Sequence, residues 1–151
     1  MGLFQRMSRK RDEEEWTEIK RSDEVYPKNS ISLLMLSTGM GWVDKAYEKY
    51  PFRANCPWHL LISVDLSDNP GLDVGKVEKF FAEELRKVGI AHTVARLGTA
   101  NGLELEMYVE NNEESINHLQ AILNNPDRLV SFTYVIEEDP NWEEVKDLMG
   151  M

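Results

Sequence analysis

The chain has almost no cysteine. Cys56 is the single one among 151 residues, so an internal disulfide is excluded and a reducing compartment is implied. No Cys–His pairing motif surrounds that thiol, and beside Pro57 it reads as inert and half-buried. Long apolar runs are missing too. The longest, Ile31–Leu36 and Trp58–Leu66, fall short of the ~18 residues of a membrane span and suit strands. Met1 is not followed by the apolar core of a secretory signal, and Arg6 stands where a myristoylation motif has Ser or Thr. Basic residues are scarce, 17 against 27 acidic ones, for a formal charge of −10. A nucleic-acid binder ordinarily presents a basic face. These absences predict a cytoplasmic protein with no membrane partner and with nucleic acid disfavoured. Also missing are a phosphate-binding glycine loop, a Gly-x-Ser-x-Gly elbow, Cys-x-x-Cys and His-Glu-x-x-His. The glycines of Gly98-Thr99-Ala100-Asn101-Gly102 have strands on both sides, whereas a dinucleotide loop needs a helix after it.

What is present is enough apolar sequence for one core: 42% hydrophobic and 29% charged residues, ordinary for a soluble domain. Residues 1–24 read as a charged, flexible tail, and 25–151 as a single α+β domain. The tail sets Arg6, Arg9, Lys10 and Arg11 before Asp12–Glu15; a short helix over Asp12–Lys20 would let Trp16 and Ile19 meet at i,i+3. Pro27–Ser30 is a turn, and Ile31–Leu36, bounded by breakers, reads as a buried strand. The aromatic stretch Trp42–Cys56 is expected to wrap over the core.

The organising segment is Trp58–Glu138, in the order strand, helix, strand, strand, helix, strand. That βαββαβ order predicts a ferredoxin-like sandwich with one additional N-terminal strand and a C-terminal helix, the helices packed on one face. In the first strand Leu60, Ile62, Val64 and Leu66 alternate with His59, Leu61, Ser63 and Asp65. Asp73 is placed to cap a helix that carries Val74, Val77, Phe81, Leu85 and Val88 near one face. Strands over His92–Leu97 and Leu103–Val109 enclose a five-residue loop, Gly98–Gly102. Asn111 is read as opening the second helix, and Asp139-Pro140 the third, with Trp142 on its packing face.

The candidate binding residues lie around the central hairpin: His92, Arg96, Glu104, Glu106 and Tyr108, with His59, on what reads as an open sheet face. Glu104 and Glu106 point the same way, ~7 Å apart by strand pitch, a spacing common on solvated strands. Arg96 is expected to face Glu104 or Glu106 as a cross-strand ion pair, with an anion anchor as the sharper alternative. Nothing in the spacing of His59, His92 and His118 selects a metal site, and no metal or cofactor is predicted.

The hairpin Ala95–Val109, with Arg96, Thr99, Glu106 and Tyr108, resembles that of the bacterial family called domain of unknown function 695. The close Ile136-Glu137-Glu138-Asp139-Pro140-Asn141-Trp142 is similar to that family's ending. The resemblance spans roughly Trp16 to Met149. It implies that Asp139, Pro140 and Trp142 are structural signature positions, and it implies no particular activity. A looser likeness is to the acidic, ferredoxin-like ribonuclease E inhibitor B family, although its long acidic tail is missing here. The leading expectation is a non-enzymatic protein-binding or regulatory module, with a protein partner or a homodimer through a sheet edge. A small-molecule sensor is the alternative. An enzyme using Glu104 and Glu106, or RNA regulation through Arg6–Arg11, comes behind.

Overall fold

The computed structural model describes residues 25–150. The tail over 1–24, with Trp16 and Arg6–Arg11, lies outside them. The described residues form an α+β fold of six strands and three helices. The strands are β1 (Ile31–Leu36), β2 (Gly39–Asp44), β3 (Trp58–Asp65), β4 (Ala91–Thr99), β5 (Gly102–Val109) and β6 (Ser131–Glu138). The helices are α1 (Val74–Arg86), α2 (Glu113–Asn124) and a short α3 (Lys146–Met149). All strands join one sheet, ordered β1-β2-β4-β5-β3-β6, and every neighbouring pair is antiparallel.

One face is closed by α1 and α2. Leu60, Ile62 and Val64 of β3, and Leu103, Leu105 and Met107 of β5, meet Val77, Phe81, Leu85 and Leu119 there. The period-2 strands and the helical stripe predict this layer directly. Asp73 caps α1 as expected, its side chain accepting from Gly75 N at 2.9 Å. Asn111 has a different use: its Nδ2 donates to Val88 O at 2.7 Å, and Asn112 takes the cap position of α2.

The opposite face is closed over its middle by a second, aromatic cluster. Tyr47, Tyr50, Trp142, Val145 and Met149 pack there on Val43, Val94, Ala95 and Tyr108. The aromatic connection does wrap over the core, and α3 follows it. The helices therefore occupy both faces rather than one.

Two strand assignments change. The N-terminal extension is a hairpin of two strands, because Gly39–Asp44 pairs with β1 on one side and with β4 on the other. Gly41 sits where a Cβ would collide with the Arg96 carbonyl, so glycine there permits the close approach of β2 to β4. β1 is an edge strand and not a buried one: its residues alternate between exposed and half-buried. An apolar run of strand length is compatible with either position, and its neighbours in the sheet decide.

Candidate functional site

The central hairpin turns tighter than its glycines suggest. Thr99 pairs with Gly102, which leaves a two-residue loop, Ala100-Asn101. That register sets Arg96 opposite Leu105, Leu97 opposite Glu104, and Ala95 opposite Glu106. A slip of one residue moves a side chain to the other face, and Arg96 accordingly points to the helical layer. It pairs with Glu78 of α1 at 2.8 Å, and Glu78 also accepts from Trp42 Nε1 at 3.3 Å. Burial pushes the Glu78 carboxyl up, and Arg96 and Trp42 partly offset that. The expected pairing of Arg96 with Glu104 or Glu106 is not formed. An irregularity between Thr93 and Ala95 leaves one extra residue, Val94, and restores His92 to the face of Tyr108.

Tyr108 is the centre of that face. On neighbouring strands it stands opposite His59 and His92. Trp142 stacks on it, ring centroids 4.1 Å apart and planes 10° apart. The Tyr108 hydroxyl donates to Asp139 Oδ2 at 2.6 Å. Burial, and then the Asp139 carboxylate, push its pKa up. Asp139 also accepts from the backbone N–H groups of Glu143 and Glu144, at 3.0 and 3.1 Å. These three donors outweigh burial and hold its carboxyl below the usual range.

Trp142 is not inside a helix. It precedes the 3₁₀ turn Glu143–Val145 with φ of 55°, a left-handed conformation that costs a non-glycine residue about 1–3 kcal/mol. The surroundings hold it there. The indole Nε1 donates to Arg53 O at 3.1 Å and Cys56 O at 3.0 Å, and its own N–H reaches Asp139 O at 3.1 Å. Asp139 and Trp142 thus act as structural residues, with Pro140 in the exposed turn between them. Cys56 is fully buried beneath, its carbonyl one of the two indole acceptors.

His92 is fully buried among Tyr26, Tyr47, Tyr50 and Trp142. The Tyr50 hydroxyl donates to Val25 O at 2.8 Å, so it accepts from His92 Nε2 at 3.4 Å. Nδ1 then accepts from the Tyr47 hydroxyl at 3.0 Å. This accounting assigns a neutral ring protonated on Nε2. Burial first, and the Arg86 charge second, depress its pKa to about 3.

His59 behaves oppositely. It contacts Glu106 diagonally across β3 and β5. Burial favours the neutral ring, but the Glu106 hydrogen bond and charge, with Glu144 and Asp139, outweigh it and raise the pKa. Glu104 stands apart, opposite Ser63 on the open end of the face.

The six predicted residues are therefore dispersed. His59 and Glu106 form a pair, His92 and Tyr108 are interior, Glu104 is half-buried at the rim, and Arg96 is on the other face. Most of their polar groups are already engaged: His59 with Glu106, His92 with Tyr47 and Tyr50, Tyr108 with Asp139 and Arg96 with Glu78. Among the described residues no group of three or more His, Cys, Asp or Glu is arranged to hold a metal. No helix among them is long and apolar enough to cross a membrane.

The surface that sequence reasoning missed is β1 with its partner β2. Ile31, Leu33 and Met35 are 51%, 71% and 82% exposed, and Met40 is 59% exposed. Met40 lies opposite Met35, and Trp42 opposite Leu33, so the apolar side chains form one shelf on the α1 side of the sheet. The signal was present in the composition: residues 29–43 contain no charge at all, in a chain of formal charge −10. The chain matches no protein-family model, no curated protein and no solved structure.

Proposed function

We propose that the protein is a non-enzymatic, cytoplasmic protein-binding or regulatory module that docks its partner on the β1 edge. The observation that carries this reading is the exposed, charge-free apolar row of Ile31, Leu33 and Met35 on an edge strand, with Met40 beside it on β2. Natural edges are ordinarily guarded by lysine, proline or a bulge, and β1 has none of these. A partner strand would gain main-chain hydrogen bonds and an apolar contact together. The order β4-β5-β3-β6, with α1 and α2 as crossovers, supports a ferredoxin-like topology for the inner unit.

A photo-crosslinking residue placed at Leu33 of the full chain tests the reading in cell extract. A discrete protein adduct at Leu33, absent from the same probe at exposed Lys79 of α1, is expected. Equal background at both positions would contradict it. A second reading, a small-molecule sensor, draws on an open cleft of about 360 Å³ at the sheet end, lined by Ser63, Asp65, Thr99, Asn101, Ser131 and Thr133. A metabolite that raises the melting midpoint, and no longer does so in a Ser63→Val variant, would favour it.

A further inference from the structure

We infer that the partner on the β1 edge is a second copy of this chain, joined strand to strand about a two-fold axis at Leu33. The inference rests on the docking surface proposed above and names what occupies it. The hairpin phases the ladder. Lys45 N donates to Ser30 O at 2.8 Å, and Leu36 pairs with Gly39 across the two-residue turn Ser37-Thr38. Bonded pairs alternate along an antiparallel ladder. Ser32, Leu34 and Leu36 thus spend their backbone groups on β2, and Ile31, Leu33 and Met35 turn theirs outward. The residues with outward backbone are the same ones whose side chains form the exposed row.

Pairing β1 with its own copy, antiparallel and centred on Leu33, sets Leu33 opposite Leu33 and Ile31 opposite Met35. All three outward residues of each chain are then bonded, and the two apolar shelves fuse on one sheet face with a Met40 at either side. The charges permit it. Two chains of formal charge −10 repel over most of their surfaces, but this register brings no charged residue against another: Lys28 lies opposite Thr38. Pairing β1 with the β6 edge of another copy is head-to-tail and leaves open edges unless its rotation closes a ring, whereas β1 on β1 closes at two copies. β6 also ends in Glu137 and Glu138. An apolar patch on the order of a few hundred Å² is smaller than the ~800 Å² per partner of a standard interface. The dimer is therefore expected to dissociate in the micromolar range.

Sedimentation of the purified full chain tests this, together with Leu33→Lys, Leu33→Cys and Val135→Lys on the β6 edge. The expected result is a concentration-dependent dimer. Leu33→Lys weakens it by about a hundredfold or more, since two like charges then face each other at the axis, and Val135→Lys leaves it unchanged. Leu33→Cys gives a disulfide-linked dimer on mild oxidation, and a cysteine at Val135 does not. A monomer at every concentration would overturn the inference, whether this chain's residues 1–24 or solvent cover the edge. So would a dimer sensitive to Val135→Lys and indifferent to Leu33→Lys. A Leu33 crosslink to a different protein, with no crosslink to self, would remove the second copy while leaving the docking surface standing. Loss of every Leu33 adduct would remove both.

Discussion

β5 and β1 belong to one sheet and have opposite circumstances. β5 lies between β4 and β3, with α1 and α2 on one face and the Trp142 cluster on the other. Among the described residues β1 has one neighbour, and its most apolar side chains are exposed. The titratable residues that look chemical in the sequence gather on and beside β5, where folding uses them: His92 is boxed by tyrosines, Tyr108 is tied to Asp139, and Glu106 is tied to His59. The residues that folding leaves unused are the plain aliphatic ones of β1. A group that already satisfies another group has little left for a ligand, whereas an unburied apolar row retains its burial energy for a partner.

The contrast breaks first at β5. Trp142→Ala and Phe81→Ala, one on each face, should each cost about 3–5 kcal/mol of unfolding free energy by urea titration. If Trp142→Ala cost little, the aromatic face would be a loose covering and β5 would be closed on one side only.

The two histidines should then tilt the pH dependence in opposite directions. His92, held near 3, refuses the proton that the unfolded chain takes up below about 6.5. Stability should fall by ~1.4 kcal/mol per unit as pH drops through that window, about 2 kcal/mol by pH 5. His59, with a raised pKa, contributes fully below about 6.5 and loses its contribution as pH rises through the folded value. Urea melts between pH 5 and 8 should show a maximum near neutrality. His92→Gln should flatten the acid limb and His59→Gln the alkaline one; unchanged limbs would contradict the assigned protonation states.

Tyr108→Phe should cost less, about 1–2 kcal/mol, because Asp139 keeps its two backbone donors. Leu33→Ala should cost least. At concentrations where the chain is monomeric its stability should change by no more than about 0.5 kcal/mol. A larger loss would mean that β1 is part of the core and that the contrast with β5 is false.

How much of this was legible depends on distance along the chain. The α1–α2 layer could be read because Leu60, Ile62, Val77 and Phe81 sit at strand and helix periods. The aromatic face could be read only as an unplaced cluster. Trp142 meets Tyr108 and Tyr47 through contacts that no period encodes, and the left-handed turn at Trp142 breaks the helix that Asp139-Pro140 advertises. Arg96 lies on the face opposite to the one its sequence suggests, by one residue of hairpin register, since Gly98 and Gly102 read as a longer loop than Ala100-Asn101. Its partner Glu78 is eighteen positions away on α1, where an acidic residue looks like ordinary helix surface. Ile31–Leu36 reads as a strand, but its edge position depends on β2, which its glycines disguise as a loop.

The most direct measurement is residue-resolved hydrogen exchange at Ile31, Leu33 and Met35 in the full chain, followed as protein concentration is raised. Their outward amides should exchange readily in dilute solution and become protected in the micromolar range and above, while the β5 amides stay protected throughout. Rapid exchange at all concentrations, or protection that ignores concentration, would contradict the account.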